Sequence, residues 1–219
     1  MFTILFIFFI FILLKIIDLF LKYGLKKDNE LIRWYYLHAI MNFVICLSCI
    51  NDIKLFLTDP IDNLLNPINT QIPSIVATLL HIYHMIFFNC NSDDYFHHLT
   101  FVFISAFLSI FINFGRVVSL FNFFICGLPG GIDYLLLGLY KDNKIEKELR
   151  IKVAVELNMW LRSPGIVITS AYIYIWYIYS DRSYFKTFAF ITMVLLSIGN
   201  AQYYARMVTL YAGKNLNDK

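Results

Sequence analysis

Charge is scarce in this chain. Only 15% of its 219 residues are Asp, Glu, Lys or Arg, while 59% are hydrophobic. A soluble domain carries about 25% charged residues, so a water-exposed globular domain is excluded and an integral membrane protein is expected. The net charge is only +3, and the basic residues sit in short segments between apolar runs. That excludes a nucleic-acid-binding face and fits the bias of membrane proteins toward cationic cytosolic loops. Cysteine is limited to Cys46, Cys49, Cys90 and Cys126. All four lie in or beside apolar runs, against a secreted disulfide framework. Cys46-x-x-Cys49 has the spacing of a redox or zinc pair but lacks the usual partners, so both thiols read as small buried residues.

Other absences narrow the chemistry. Five histidines are too few for a di-iron lipid hydroxylase, which needs about eight imidazoles. No His-Glu-x-x-His occurs, and the last apolar run has no histidine, against a zinc hydrolase whose last span supplies ligands. A single zinc on His81, His84, His97 or His98 with Asp94 is stoichiometrically open but has no motif behind it. No metal and no bound cofactor is therefore expected. No lysine lies in 187–210, which excludes a retinal Schiff base. Gly127-Leu128-Pro129-Gly130-Gly131 is expected to break the fifth span. The first half has no counterpart, against an inverted-repeat transporter. No internal repeat or low-complexity tail is visible.

What is present is a series of apolar runs near the 20 residues that a span needs. They cover 2–22, 32–56, 72–90, 95–114, 117–139, 165–180 and 186–210, predicting an all-α polytopic bundle of about seven spans, with six to eight open. The sixth is short, and its helix is expected to begin earlier and to kink at Pro164. The first run lacks a basic leader and a small-residue cleavage site and is followed by Lys22, Lys26 and Lys27, so it is expected to be retained. The loop after span one also carries Arg33. The loop after span five carries Lys141, Lys144, Lys147, Arg150, Lys152 and Arg162, and the tail carries Lys214 and Lys219. The alternate loops hold Arg116, Arg182 and Lys186 with acidic Asp59 and Asp62. This bias places the N-terminus outside or lumenal and the C-terminus in the cytosol. Segment 141–162 is expected to be a cytosolic surface helix. The tail, Asn217-Asp218-Lys219, shows no retrieval signal.

The most telling stretch is Asp93-Asp94-Tyr95-Phe96-His97-His98. Ionisable groups at membrane depth are costly and point to function. On a helix Asp94 lies over His97 and His98, at i+3 and i+4, where a carboxylate can orient an imidazole and raise its basicity. The competing reading is an ordinary helix start capped by an Asp. Polar stripes recur at helical spacing: Tyr35, His38, Asn42, Cys46 and Cys49; Ser74, Thr78, His81 and His84; Asp94, His98, Ser105, Ser109 and Asn113; Ser119, Asn122, Cys126 and Asp133; Ser197, Asn200 and Tyr204. Such stripes serve either as helix–helix glue or as the lining of a polar cavity. Five imidazoles and Asp133 favour a cavity lined by spans two to five.

One ordered series within this pattern resembles a known family. His97-His98-Leu99-Thr100 is followed by Asn113-Phe114-Gly115-Arg116-Val117, then by Asp133-Tyr134-Leu135-Leu136 and Lys141, and further on by Trp160-x-Arg162-x-Pro164. The series resembles the TLC family, the membrane domain of ceramide synthases and related lipid proteins. The synthases carry a His-Asp pair where this chain has Pro129 and Gly130, so the likeness is closer to the minimal non-synthase members. It implies a first span and loop over 1–30 and a TLC-like domain over 31–219, in the endoplasmic reticulum or a related endomembrane. It also implies a lipid-metabolic role, with sphingolipids among the candidate substrates. The expected activity is acyl transfer from acyl-CoA as co-substrate to an amine or alcohol lipid. His97 and His98 would act as base or acyl acceptor, Asp94 as orienter and Asp133 as support. His38, Asn42, His81, His84, Asn113, Arg116 and Asn200 would contact substrate. Membrane lipids are the expected partners, with a homodimer open. The alternative is a non-catalytic lipid-binding or lipid-sensing protein, or a cargo receptor, using the same cavity.

Overall fold

The computed structural model describes residues 2–65, 68 and 71–216. The tail 217–219, including Lys219, lies outside the described residues. Helices α1 (Phe2–Leu19), α2 (Glu30–Thr58), α3 (Pro60–Leu65) and α4 (Ile72–Phe87) are followed by α5 (Ser92–His97) and α6 (Ile104–Phe111). Then come α7 (Val117–Asn122), α8 (Leu128–Lys141), α9 (Lys147–Glu156), α10 (Ser163–Tyr179) and α11 (Tyr184–Leu216), with no strand among the described residues. π-Helical turns over Phe20–Gly24, His98–Phe103, Phe123–Gly127 and Leu157–Arg162 join or extend these segments into longer rods.

Among the described residues, five helices are long and apolar enough to cross a membrane: Ile4–Gly24, Glu30–Thr58, Ser92–Phe111, Val117–Lys141 and Tyr184–Leu216. Two others stand where the third and sixth spans are expected. Helix α4 has 16 residues and α10 has 17, or about 24–26 Å of helix against a hydrocarbon core of about 30 Å. Tyr172, Tyr174, Trp176, Tyr177 and Tyr179 give α10 its aromatic, less apolar character. The α10 helix does begin earlier, since the helical run is continuous from Lys147, and Pro164 falls in the first turn of α10, two residues past a π-turn.

Helix α1 shows how the bundle meets its surroundings. Ile10, Leu14, Asp18 and Leu21 are buried at steps of three and four, while Ile4, Leu5, Phe8, Phe9, Ile12 and Ile16 are exposed. One stripe docks and the rest faces outward, as for a peripheral helix in lipid. The docked stripe contains an acid. Arg33 Nε donates to Asp18 Oδ1 at 3.0 Å and the Tyr83 hydroxyl donates to Asp18 Oδ2 at 3.0 Å. This triad ties α1, α2 and α4 together and satisfies a buried carboxylate that would otherwise be costly.

Helices α2 and α8 form the centre. The expected break at Gly127–Gly131 does not occur, because the chain runs helically from Val117 to Lys141 through a π-turn. Pro129 falls in the first turn of α8, where a missing N–H is tolerated. The glycines serve packing instead. A Cβ on Gly127 would meet the Cys46 backbone at 3.3 Å, one on Gly131 the Phe43 ring at 2.9 Å, and one on Gly138 the Tyr36 ring at 3.0 Å. These three positions form a smooth face that lets α8 lie directly on α2, the small-residue device of membrane helix pairs.

Gly131→Leu should therefore overpack this contact by about 1–3 kcal/mol, lowering the detergent-solubilised Tm by roughly 5 °C. Gly199→Ala, where an added Cβ meets nothing within 4 Å, should leave it unchanged. A second expectation concerns acid. Asp142, just past α8, accepts from Lys27 Nζ at 2.6 Å and from the Tyr36 hydroxyl at 3.1 Å. The Lys27 hydrogen bond, outweighing desolvation and aided by Tyr36 and Lys144, holds the Asp142 carboxyl below its ordinary value. A depressed folded value means stability that is complete above the unfolded value of about 3.9 and lost as pH falls below it. Melting temperatures measured from about pH 6 to pH 3 should show this acid limb, and Asp142→Asn should flatten it.

Candidate functional site

A cavity of about 320 Å³ lies inside the bundle, at the lower end of the range for small-molecule sites. Its walls come from α2, α4, the α5–α6 rod, the α7–α8 rod, the α9–α10 rod and α11. The polar lining includes His38, Asn42, His81, His97, Asp133 and Arg162, and Phe101, Val102, Phe121, Ile125, Leu137 and Val208 make much of the rest. Three π-turns border it, at His98–Phe103, Phe123–Gly127 and Leu157–Arg162. Such turns shift the helical register and redirect side chains near functional sites.

The five imidazoles form one connected cluster. Ring centroids of His38 and His81 are 5.3 Å apart, those of His81 and His97 5.5 Å, and those of His81 and His98 4.9 Å. His98 and His84 continue the chain at 5.1 Å. The cluster is divided, however. His38, His81 and His97 line the cavity, whereas His84 and His98 lie behind that wall. His98 therefore does not stand where a substrate in the cavity would meet it; its Nε2 faces His84 of α4 at 3.3 Å.

His81 has a defined proton position. Its Nδ1 lies 2.7 Å from the Ala77 carbonyl oxygen, which can only accept, so Nδ1 carries the hydrogen and Nε2 the lone pair. His97 Nδ1 lies 3.1 Å from the Tyr204 hydroxyl. The Tyr204 ring in turn sits under the Arg162 guanidinium at 4.6 Å, and Arg162 Nη2 donates to Asn200 Oδ1 at 2.8 Å. His38 is stacked on Tyr134 at 3.7 Å. Asp133 pairs with Arg150 at 3.4 Å.

Several polar atoms of the wall are buried without a partner: His38 Nδ1, both amide atoms of Asn42, and Asn200 Nδ2. A buried amide atom left unpaired costs about 1–3 kcal/mol, so this cavity is built to receive water or a polar ligand group. Gly130 makes room for Asn42, since a Cβ there would sit 2.7 Å from Asn42 Nδ2.

Three expected site residues have other work. Asp94 does not orient an imidazole. Its Oδ2 accepts from the Asn91 N–H at 2.9 Å while Asn91 Oδ1 accepts from the Asp93 and Asp94 N–H groups, a capping box that closes the start of α5. Local hydrogen bonds to orphan helix-end donors captured the carboxylate first. Asn113 and Arg116 lie off the cavity. Asn113 Oδ1 accepts from Gly115 N at 3.0 Å in the turn before α7. Arg116 pairs with Asp52 at 3.4 Å and donates to Asn63, fastening α2, α3 and α7. Conversely, the segment expected to be a surface helix supplies Arg150, Asn158 and Arg162 to the cavity, and its Ile151 and Ala154 are buried. Their spacing of eight and four residues puts all three on one helical face, a signal available in the sequence and masked by the high charge of the segment.

No protein-family model, no curated protein and no solved structure matches the chain.

Replacing Asn42 with leucine removes two unpaired buried polar atoms while keeping the same side-chain branching. Asn42→Leu should raise the Tm of the detergent-solubilised protein by a few degrees, since a polar group kept buried and unpaired costs stability. Thermal melts of the wild type and the variant check it.

Proposed function

We propose that this chain is a membrane enzyme of lipid metabolism that transfers an acyl group from acyl-CoA to an amine or alcohol lipid inside the bundle. The observation that carries the reading is the placement of His81, with a lone pair on Nε2, in a mostly apolar cavity beside His97, Tyr204 and Arg162. The acceptor hydroxyl or amine would give its proton to His81 Nε2 as its oxygen or nitrogen bonds to the acyl carbon. The thioester carbon–sulfur bond breaks, and the departing thiolate takes the acceptor's proton from His81 to leave as CoA–SH, which returns the imidazole to its neutral form. The guanidinium of Arg162 and the hydrogen-bonding edge of His97 and Tyr204 supply positive charge and donors for the oxyanion that develops meanwhile. The apolar wall suits the acyl chain. The resemblance to the TLC family, carried by His97-His98, Asp133 and Trp160-x-Arg162-x-Pro164, points to the same lipid chemistry and to an endomembrane setting such as the endoplasmic reticulum. His81 takes the role of base in this reading, and His97 keeps a place at the reacting carbonyl.

A second reading has its own support. Pro129 and Gly130 occupy the positions of the synthase His-Asp pair, and Gly130 backs onto Asn42. The cavity then holds a lipid without turnover. Purified protein incubated with labelled acyl-CoA and membrane lipid extract separates the two. His81→Gln should lower transfer by about 10²–10⁴-fold, the usual contribution of a general base, with the Tm preserved. Asn113→Ala, at a position that does not line the cavity, should retain activity. Co-purified lipid with no acyl transfer in the wild type establishes the binding reading, and full activity in a folded His81→Gln protein refutes the histidine mechanism.

A further inference from the structure

The corner between α4 and α5 holds a second constellation, behind the cavity. His84 Nδ1 and His98 Nε2 face each other at 3.3 Å. Cys90 lies between them in sequence, and one ligand atom from each of the three residues falls within 4.8 Å of the others. Two ligand nitrogens at about 2.0–2.1 Å from a tetrahedral zinc are about 3.3–3.4 Å apart, so the imidazole pair already has the spacing of one tetrahedral edge. We propose that His84, Cys90 and His98 bind a single zinc ion, leaving a fourth position for water.

Four features prepare the site. The Trp34 indole stacks on His84 at 3.6 Å, with an interplanar angle of 14°, and fixes that ring. His98 is 2% exposed and its Nδ1 has no partner, so the ring's one hydrogen-bonding contact is the Nε2 edge turned to His84. The Cys90 loop is held on both sides. Asn89 N and Nδ2 donate to the Glu30 carboxylate at 2.6 and 3.1 Å, and Asn91 is locked in the capping box with Asp94. Those same two carboxylates bring negative charge to within one residue of Cys90 in the local hydrogen-bond network, which favours a divalent cation. The donor set of two imidazoles and one thiolate suits zinc over magnesium or calcium. On binding, the Cys90 thiol loses its proton to solvent and the thiolate and both lone pairs bond the ion. The alternative for the imidazole pair is a simple N–H···N hydrogen bond between neutral rings, which needs neither Cys90 nor a metal.

The wild-type chain, purified in detergent and treated with chelator, is loaded with Zn²⁺ or with Co²⁺ as a spectroscopic probe. Expected are about one zinc per chain, a tetrahedral Co²⁺ spectrum with a thiolate charge-transfer band, and a zinc-dependent rise in Tm. Cys90→Ser should abolish the charge-transfer band and weaken binding by at least about 100-fold, as expected for loss of a primary ligand. Zinc should also protect Cys90 of the unmodified chain from maleimide labelling, a readout that requires no variant to fold. Substoichiometric zinc, an octahedral cobalt spectrum without the charge-transfer band, or labelling of Cys90 that zinc does not slow would each overturn the site.

Discussion

The close approach of α8 to α2 is the constraint on which the rest depends. Gly127, Gly131 and Gly138 leave no side chain between the two helices, so Cys46, Phe43 and Tyr36 of α2 rest directly on the α8 surface. In lipid no hydrophobic effect drives such a pair together, and close van der Waals contact must do so. That contact sets the depth at which Asn42 and His38 of α2 stand beside Asp133 and Tyr134 of α8. Every other wall of the cavity is then hung on this pair, by α4 on one side and the α9–α10 rod on the other.

Polar fastenings hold the two ends of the bundle in different ways. At one end the Asp18–Arg33–Tyr83 triad joins α1, α2 and α4. At the other, Asp52 receives both Arg116 and Ser119, whose hydroxyl donates at 2.7 Å. Both networks are largely satisfied, as buried charge must be. The cavity between them is not, since Asn42, Asn200 and His38 keep unpaired atoms. Among the described residues most of the unpartnered buried side-chain atoms belong to residues of this one chamber, which marks where stability gives way to binding.

The histidine cluster shows how one sequence feature can serve two sites. His97 and His98 are adjacent, yet a helix places successive side chains about 100° apart. His97 consequently joins His81 and His38 in the cavity while His98 turns to His84 and the Cys90 loop. Trp34 and Tyr134 serve as the flat surfaces against which two of the rings are set.

Composition and apolar run length alone determined that the chain is a helical membrane protein, because a bilayer leaves backbone groups no partner outside the helix; of the seven runs expected to span, five form helices long and apolar enough to cross among the described residues. Polar periodicity marked His38, Asn42, His81, Asp133, Asn200 and Tyr204 as one inward set, since spacing by three or four residues is fixed by the helix itself. What the sequence left open was decided by contacts between segments distant along the chain. Asp94 was claimed by a capping box, and Arg116 by Asp52 across 64 residues of sequence separation. Arg150 and Arg162, dressed as a charged loop, were drawn inward by Asp133 and Tyr204. Local periodicity tells which face a residue occupies. Only the packed bundle tells what that face meets, because the partner of a buried charge is chosen by three-dimensional proximity and not by spacing along the chain.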